Sequence, residues 1–551
     1  MQRVLFLVSA NNGLTQRAAL TLRDAGYSVR TAVVDDDTSI KRAVAPGDFN
    51  LIVCPFLKAR IPAEVYQKWP TIIIHPGPIG DRGPSSLDWA ITESEPRWGV
   101  TALSAVEEMD AGPIWAWRTF DMPTHLMRKT AVYNGPTADA AIECIVEAVA
   151  KVAQAGFEPT PLSLATRPIK SATVRPLMKQ ADRAFDWAEP ASTIVRRIAA
   201  GDGFPGVLTN IGQGRAFVYD ARIDESSEAE PGTVLSRRHH AVRIAAGEGS
   251  VWIGYARAKH QDGGKALKLP ATAVLNAPEF GLDIDELPVE RTGAYRNIGY
   301  QRDGDVGYLT FDFYNGAMST TQCNRLLRAF AYAAAQDTRV LVLRGDGPYF
   351  SNGIHLGTIE AAANPAAEGW ANIKAINAVC RAIITCTNQV VIGAFTGNAG
   401  AGGVMLPLGA DVLTARADTV LNPHYATMGL FGSELHTYTL PRRVGTQMAR
   451  RLTTDCLPIN ASGARDIGLL DEVGPREQAA FDPWLAELAH EYASEHRATK
   501  IMNDKAARLT EDAEMKPLDA YEHFELGHMV QDMFEDRHGF ADKRHRFIYK
   551  L

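Results

Sequence analysis

The stretch TGNAGAGGVMLPLGAD, residues 396–411, holds five glycines and no titratable side chain before Asp411. Glycines this dense let the backbone approach a ligand or another strand closely. The stretch follows an apolar run, Val390–Phe395, typical of a buried parallel strand, and it precedes a run that can open a helix. A strand-to-turn element of this kind presents backbone N–H groups, so we expect it to bind a negatively charged oxygen.

Length and composition indicate a globular chain of several domains. Its 551 residues exceed what one core supports, and 46% hydrophobic with 22% charged residues is typical of soluble proteins. The N-terminal apolar run Val4–Val8 is too short for a signal peptide or a membrane span, so no membrane partner is expected. A formal net charge of −7 argues against nucleic-acid binding. Six scattered cysteines without a Cys-x-x-Cys pair predict a cytoplasmic protein with no metal site.

The sequence divides into three predicted domains and has a multidomain α/β fold class. Residues 1–160 alternate strand-length apolar runs with helical runs, which predicts a parallel sheet covered by helices. Residues 177–275 carry short β-runs between glycine-rich turns and predict a small β-barrel. Residues 300–551 return to α/β alternation and end in a helical tail. The predicted linkers between these domains are residues 156–176 and 276–300.

A histidine and an aspartate lie beside predicted strands in the first domain. His75 ends the apolar run Thr71–His75, and Asp110 lies in the turn of EEMDAGPIWAW, residues 107–117. Parallel sheets bind ligands beyond the carboxyl ends of their strands. An imidazole that polarises a carbonyl and a carboxylate that moves or holds the proton suit acyl transfer. The structural alternative is a strand-end histidine satisfied by backbone and an aspartate that caps a turn.

This region resembles the formyltetrahydrofolate-dependent formyltransferases, whose signature is Asn-x-His, a loop with Arg-Gly and a later Asp-x-Gly. His75 takes the histidine position, Arg82 and Gly83 lie in the loop, and Asp110 takes the aspartate position. The asparagine of the family falls on Ile73, so one side-chain donor to the formyl oxygen is missing. Because both proton-handling residues remain, the resemblance implies a repurposed site.

The formyltransferase resemblance covers roughly residues 1–150 and extends weakly into 177–275, which looks like the C-terminal barrel of methionyl-tRNA formyltransferase. It implies formyltetrahydrofolate as the one-carbon donor. A tRNA acceptor is disfavoured, because the barrel-like segment is barely basic. By analogy with the family, the pterin of the folate contacts the backbone of Cys54, Pro55, Phe56 and Leu57.

A second strand-to-turn element, VLVLRGDGPYFSNGIHLG at residues 340–357, accompanies the glycine-rich stretch. The pair resembles the crotonase superfamily of enoyl-CoA hydratases and isomerases, in which two turns donate backbone N–H groups to an acyl-CoA thioester carbonyl. The resemblance runs from about residue 300 to the C-terminus and implies coenzyme A as a ligand. Carried over by position, the two oxyanion-hole donors are the N–H groups of Ile354 and Gly402.

The two acid/base glutamates of crotonase hydratases are missing from their expected positions. One position falls on Met405, and the other falls on Tyr425, or on His424 with a one-residue shift. Adding water to a double bond needs those carboxylates, so hydration is not expected. Tyr425 and Glu434 remain as candidate catalytic groups, since other members of the superfamily place a carboxylate near the second of them. The structural alternative is that Tyr425 packs and Glu434 faces solvent.

The two resemblances together imply formyl-CoA as a shared intermediate, made at the first site and held at the second. Formyl-CoA has no α-carbon, which leaves hydrolysis, transfer or loss of carbon monoxide. An apolar pocket containing Met405 disfavours hydrolysis. Decarbonylation needs the formyl proton removed and the thiolate protonated, and these are roles for Glu434 and Tyr425. The implied activities are therefore a formyltransferase and a formyl-CoA decarbonylase, which is a lyase.

Over its whole length the sequence resembles the hydrogenase maturation proteins of the HypX (HoxX) family. That family is taken to supply the CO ligand of the iron in NiFe-hydrogenase, which implies the hydrogenase maturation machinery as a partner. The basic C-terminal sequence offers candidate contacts for the CoA phosphates, with a solvated basic tail as the structural alternative. The candidate contacts are Lys543, Arg544 and Arg546.

Two other functions remain open from the sequence. One is a formyltransferase that acts on another acceptor, such as an amine, joined to an acyl-CoA hydrolase or isomerase. The other is a non-catalytic assembly factor that uses both parts as binding modules, which the loss of the family asparagine at Ile73 and of both hydratase carboxylates favours.

Overall fold

The computed structural model describes residues 2–124, 127–225, 227–260, 264–282 and 295–551. It divides into two compact units, Met1–Tyr295 and Arg296–Leu551, which are described one at a time. Of the predicted linker 276–300, residues 283–294 lie outside the described residues.

The N-terminal part of the first unit alternates strands with helices. The strands are β1 (Arg3–Val8), β2 (Ser28–Val33), β3 (Leu51–Cys54), β4 (Thr71–His75), β5 (Arg97–Ser104) and β6 (Ile114–Asp121). The helices are α1 (Gly13–Asp24), α2 (Asp37–Val44), α3 (Ala63–Tyr66), α4 (Ser86–Thr92), α5 (Lys129–Val132) and α6 (Ala138–Val152). The strands form one sheet in the order β2-β1-β3-β4-β5-β6, in which β1 to β4 are parallel and the last two strands run antiparallel.

This sheet is buried on both faces, which explains why its central strands are apolar throughout. Val4, Phe6 and Val8 of β1 pack into one hydrophobic cluster, and Leu5 and Leu7 pack into another on the opposite face. The carboxyl ends of β1, β3 and β4 meet at one edge, since these strands are parallel neighbours. That edge holds His75.

The rest of the first unit is an antiparallel sheet with short helices. Its helices are α7 (Gln180–Arg183), α8 (Ala191–Gly201) and α9 (Ala271–Leu275). Its strands are β7 (Val207–Ile211), β8 (Gly214–Asp224), β9 (Val234–Arg238), β10 (Ala241–Ala245), β11 (Ser250–Ala258) and β12 (Leu269–Pro270). The order is β7-β8-β11-β10-β9, with β12 paired to β11. The helix α8 and the strands share a core that includes Ile194, Ile198, Val218 and Ile253.

The second unit contains two sheets and a helical C-terminal region. Its strands are β13 (Ile298–Asp303), β14 (Val306–Phe311), β15 (Val340–Gly345), β16 (Tyr349–Ser351), β17 (Val390–Phe395), β18 (Asn398–Gly400), β19 (Val412–Arg416), β20 (Val420–Asn422), β21 (Ile459–Asn460) and β22 (Glu472–Gly474). The larger sheet has the order β13-β14-β15-β17-β19-β22 and the smaller one β16-β18-β20-β21. In the larger sheet β14, β15, β17, β19 and β22 are parallel.

Helices pack around both sheets of the second unit. They are α10 (Thr320–Ala334), α11 (Leu356–Ala361), α12 (Pro365–Thr385), α13 (Gly402–Met405), α14 (His436–Asp455), α15 (Ala461–Asp466), α16 (Gln478–Tyr492), α17 (Glu495–Met515), α18 (Leu518–Met533) and α19 (Phe540–Tyr549). The chain passes from β15 into β16, and from β17 into β18, through turns that lie side by side because β16 and β18 are paired. These two turns lead to the second candidate site.

Candidate functional site

The first candidate site lies at the carboxyl end of β4. His75 is 4% exposed and lies between two carboxylates. Its Nε2 is 2.8 Å from Asp81 Oδ2, and its Nδ1 is 3.4 Å from Asp110 Oδ2. The structure therefore brings His75 and Asp110 together as the sequence predicts and adds a third residue, Asp81.

The two carboxylates decide the charge of the imidazole. Burial disfavours the protonated form, but the hydrogen bond to Asp81 and the negative charges of Asp110 and Asp81 outweigh burial and raise the pKa of His75. The approach of His75 to Asp81 requires Gly77, because a Cβ there would lie 2.2 Å from Asp81 Oδ2 and 2.4 Å from His75 Nε2. The site thus favours an imidazolium, which can polarise a carbonyl oxygen.

Asp110 is fixed by the loop that carries Arg82 and Gly83. The N–H of Gly83 donates to Asp110 Oδ2 at 3.1 Å, and Arg82 Nε donates to the carbonyl of Met109 at 3.2 Å. Asp110 itself adopts a left-handed backbone with φ of 54°. The Arg-Gly element therefore holds the aspartate in place beside the imidazole.

Sequence reasoning missed Asp81. It lies six residues after His75 in a loop of glycine and proline, next to Arg82. An acidic residue in so short a loop was the available signal, but its contact with the imidazole depends on how the loop folds back. Asp81 is buried, so its carboxylate belongs to the site and not to the surface.

Ile73 and the segment Cys54–Leu57 lie close to His75 in the sheet. Ile73 is half-buried and shares one face of β4 with His75, since side chains two apart point the same way. Cys54 pairs with Ile73 across the neighbouring strands. Cys54 and Pro55 are buried, Phe56 and Leu57 are half-buried, and the carbonyl of Phe56 accepts from the N–H of Ser9 at 2.7 Å. The segment expected to meet folate thus begins where β3 ends.

The second candidate site lies where the two turns of the second unit approach each other. A Cβ on Gly353 would lie 3.1 Å from the backbone nitrogen of Gly402, so the turns are in contact. Gly353 has φ of +75°, a conformation that favours glycine. Among the residues that the structure describes, neither the N–H of Ile354 nor that of Gly402 has a hydrogen-bond acceptor. Two N–H groups so placed suit an oxyanion.

Tyr425 and Glu434 form a buried pair beside Gly402. The hydroxyl of Tyr425 donates to Glu434 Oε2 at 2.6 Å, and the N–H of Ser433 donates to the same oxygen at 3.1 Å. Glu434 is only 2% exposed, so it does not face solvent. A Cβ on Gly402 would lie 2.1 Å from Glu434 Oε1, which places that second oxygen against the glycine.

Burial disfavours the charged form of both members of the pair. Burial is the main cause that raises the pKa of Glu434, and the hydrogen bonds from Tyr425 and Ser433 oppose it only in part. Burial, followed by the charge of Glu434, raises the pKa of Tyr425 well above its ordinary value. A carboxyl group with a raised pKa and a neutral phenol can exchange one proton over 2.6 Å.

The positions of the two hydratase glutamates hold no carboxylate. Met405 is buried in the main hydrophobic cluster of the second unit, together with Tyr425. His424 is turned to its own backbone, because its Nδ1 lies 2.7 Å from the carbonyl of Asn422, and burial lowers its pKa. Tyr425 and Glu434 therefore remain the candidate proton-carrying pair of this pocket.

The three basic residues proposed for CoA have different surroundings. Lys543 lines a cavity of about 640 Å³ together with Arg450 and Arg537. Arg544 is buried and pairs with Glu360 at 2.7 Å. Arg546 is exposed, with its nearest acidic partner one helical turn away. Of the three, Lys543 has the surroundings that best suit a phosphate.

The described part of the chain contains no group of three or more histidines, cysteines or acidic residues that could hold a metal ion. Likewise, none of the helices in the described ranges is long and apolar enough to cross a membrane.

Two family profiles match the chain. The profile of the formyl transferase C-terminal domain matches residues 177–272, and that of the enoyl-CoA hydratase/isomerase family matches residues 303–548. A methionyl-tRNA formyltransferase from Acidovorax ebreus is 32% identical over 181 residues, which cover 31% of this chain and 51% of that protein. The sheets and the two sites thus define a protein that joins a formyltransferase-like part to a crotonase-like part.

Relatives over the full length narrow this class. The hydrogenase maturation factor HoxX of Bradyrhizobium diazoefficiens is 38% identical over 551 residues, covering 100% of this chain and 95% of that protein. The crystal structure of HypX from Aquifex aeolicus in complex with tetrahydrofolic acid is 36% identical, with a TM-score of 0.92 over 100% of this chain and 96% of that one. The chain belongs to the HypX/HoxX family of hydrogenase maturation factors.

Proposed function

We propose that this protein moves a formyl group from formyltetrahydrofolate to the thiol of coenzyme A and then releases carbon monoxide from formyl-CoA. The His75 site supports the first step, and the paired turns with Tyr425 and Glu434 support the second. The similar HypX from Aquifex aeolicus binds tetrahydrofolic acid in its crystal structure. The CO would serve the iron of NiFe-hydrogenase, in keeping with the family of maturation factors.

The first step needs a polarised formyl carbonyl and a place for the thiol proton. The imidazolium of His75 keeps its Nε2–H on Asp81 and donates its Nδ1–H, which lies 3.4 Å from Asp110, to the formyl oxygen as the sulfur attacks the formyl carbon, which replaces the side-chain donor lost at Ile73. Asp110 takes the proton of the thiol and returns it to the folate nitrogen as the carbon–nitrogen bond breaks. The S–H and C–N bonds are exchanged for C–S and N–H bonds, so the products are formyl-CoA and tetrahydrofolate.

The second step removes the formyl hydrogen as a proton. The N–H groups of Ile354 and Gly402 hold the thioester oxygen, while Oε1 of ionised Glu434 takes the proton from the formyl carbon. The C–S bond breaks with its electron pair going to sulfur, and the hydroxyl of Tyr425 protonates that sulfur. Glu434 then returns its proton to Tyr425 over their 2.6 Å hydrogen bond, and the products are CO and the free thiol.

Each part of the chain has a role in this function. Residues 1–160 bind the folate, with the pterin against Cys54–Leu57, and residues 177–275 form the accompanying C-terminal formyltransferase domain. Residues 300–551 bind CoA, with Lys543 near its phosphates. Arg544 has a structural role, because Glu360 already engages it.

The observation that carries the proposal is the buried Tyr425–Glu434 pair against the backbone of Gly402. The test supplies the protein with formyl-CoA and measures CO, formate and free thiol. We expect CO and thiol in equal amounts from the wild type. We expect at least a 100-fold loss of CO from Glu434→Gln, since the proton acceptor is gone, with formyl transfer from formyltetrahydrofolate retained.

Three outcomes contradict the proposal in different ways. Formate in place of CO identifies a hydrolase, and the absence of both products from both substrates identifies a binding module. CO release by Glu434→Gln at the wild-type rate would show that this carboxylate is not the base.

A further inference from the structure

The turn that carries Glu434 has a backbone conformation that its sequence alone does not favour. We call residues Phe431–Thr437 the Glu434 turn. Glu434 and Leu435 have φ of 67° and 56°, so two consecutive residues other than glycine lie in the left-handed region. Each such residue is strained relative to the right-handed conformation. Some interaction within the fold must therefore hold the turn.

The N–H groups of this turn are held mainly by side chains, and Glu525 holds more of them than any other residue. Glu525 Oε2 accepts from the N–H of Leu435 at 2.9 Å. Glu525 Oε1 accepts from the N–H and the hydroxyl of Thr437, each at 2.7 Å. Glu525 is fully buried, at 0% exposed. Hydrogen bonds to a carboxylate are roughly twice as strong as those between neutral groups.

Glu525 belongs to one face of α18 that follows the turn. Four residues later, Met529 Sδ accepts from the N–H of Gly432 at 3.3 Å, and three residues further Asp532 Oδ2 accepts from the N–H of Phe431 at 2.7 Å. The spacing i, i+4, i+7 places these three side chains on one side of the helix. Side chains of α18 thus accept hydrogen bonds from N–H groups at both ends of the Glu434 turn, from Phe431 to Thr437.

We propose that Glu525 is a positioning residue that holds the Glu434 turn in its left-handed form and so keeps the Glu434 carboxylate between Gly402 and Tyr425. The inference rests on the proposed decarbonylation and names the residue that maintains its geometry. Glu525 acts through the backbone of Leu435 and Thr437 and does not touch the reacting atoms.

Replacement of Glu525 by glutamine tests this role with little change in volume. A glutamine keeps one accepting oxygen but turns an NH₂ group toward a backbone N–H, so one donor of the turn loses its partner. The left-handed pair then loses a charge-assisted hydrogen bond. We expect kcat for CO release to fall by roughly 10- to 100-fold, while KM for formyl-CoA changes less than about twofold, because the oxyanion turns are untouched.

A shift in the pH profile separates positioning from a general loss of structure. Among the described residues, the ionisable groups that act on Glu434 include Tyr425, His436, Glu525, Cys323 and Cys380, and His436 Nδ1 also lies 3.4 Å from Glu525 Oε1. The charge of Glu525 contributes to the raised pKa of Glu434. CO release requires ionised Glu434 and rises with pH through that pKa, so removal of the Glu525 charge moves the acid limb to lower pH. Glu525→Asp keeps the charge but shortens the side chain by one methylene group. We therefore expect it to lower kcat without moving the acid limb of the pH profile.

The experiment compares the wild type, Glu525→Gln, Glu525→Asp and the control Asp519→Asn. Asp519 lies on the same helix, is exposed and pairs only with Arg381 among the described residues, so its variant should match the wild type. CO release from formyl-CoA is measured across pH, and backbone amide hydrogen exchange is followed in residues 431–437. Faster exchange at Leu435 and Thr437 in Glu525→Gln, with the lower kcat and the shifted limb, supports the proposal.

The proposal would be overturned if Glu525→Gln had the wild-type kcat. It would also be overturned if kcat fell while amide hydrogen exchange in the turn and the acid limb of the pH profile stayed unchanged. If Glu525→Gln does not fold, Glu525→Asp decides through its kcat and exchange alone. If the wild type itself releases no CO, the proposed function is wrong, and amide exchange still decides whether Glu525 holds the turn.

Discussion

A methyl group added at Gly402 should separate the Glu434 carboxylate from its working position. In Gly402→Ala the new Cβ would lie 2.1 Å from Glu434 Oε1, whereas ordinary contact begins at 3.4 Å, so the oxygen must move by about 1.3 Å. The backbone at Gly402 is not in the left-handed region, so alanine adds no backbone strain. The clash falls on the end of a side chain, and the protein is expected to fold.

The displacement of Glu434 Oε1 should slow CO release, because proton transfer depends on the distance between donor and acceptor. A misplacement of about 1 Å in an active site costs on the order of 100-fold in rate, which is about 2.7 kcal/mol of activation free energy. The 2.6 Å bond from Tyr425 must stretch or rotate as the carboxylate moves, which also weakens the return of the proton. We therefore expect Gly402→Ala to release CO from formyl-CoA about 100-fold more slowly.

The assay measures initial CO release under saturating formyl-CoA, with formyl transfer from formyltetrahydrofolate as an internal control. Gly527→Ala is the matched variant, because a Cβ at Gly527 on α18 meets no atom within 4 Å and should leave the rate unchanged. Wild-type CO release by a folded Gly402→Ala protein would refute the reasoning that Glu434 works against this glycine.

The remaining predictions concern the charged residues of both sites. Asp81→Asn removes the negative charge beside His75 Nε2, so the pKa of His75 falls and the basic limb of the formyl-transfer pH profile moves to lower pH; an unmoved limb would contradict the role of Asp81. In the wild type the pKa of His75 is raised above its ordinary value of 6.5, so its ion pairs with ionised Asp81 and Asp110 stabilise the fold fully just below pH 6.5 and lose that effect as pH rises through the raised pKa, which urea titrations across pH can follow. Arg544→Ala removes the guanidinium from half-buried Glu360, which keeps His545 at 2.8 Å, and should lower the free energy of unfolding by about 1 kcal/mol, whereas Lys543→Ala should raise KM for CoA several-fold with stability unchanged. Equal effects of these last two variants on KM would show that Arg544 also meets the ligand.

Much of the fold could be predicted because its strands are continuous apolar runs. The predicted strands Thr71–His75 and Val390–Phe395 have the bounds of β4 and β17. A strand that is covered on both faces is apolar over most of its length, so its extent can be read from the sequence. The overall class, a formyltransferase-like part followed by a crotonase-like part with a helical C-terminal region, is confirmed by the family profiles and by the similar HypX structure.

The candidate sites could be predicted only where a residue lies at a fixed position relative to a strand or turn. His75 ends a strand, and Gly402 and Ile354 follow turns, so their places are set locally. Glu525 gave no such signal, because it lies 90 residues from Leu435, whose N–H donates a hydrogen bond to it. Long-range partners of this kind depend on how the helical tail packs, which helical periodicity does not specify.

Met405 is buried in the same hydrophobic cluster as Tyr425 and brings no proton-carrying group to the pocket, where Tyr425 and Glu434 are joined by a hydrogen bond. In the proposed mechanism the hydrogen taken from the formyl carbon passes to Glu434 and then to Tyr425, while the proton that Tyr425 already holds goes to sulfur. Deuterium placed on the formyl group would therefore reach the thiol one turnover later, and the turnover rate would be independent of buffer concentration. A carboxylate at position 405 would provide a second proton acceptor and a route for proton exchange with water.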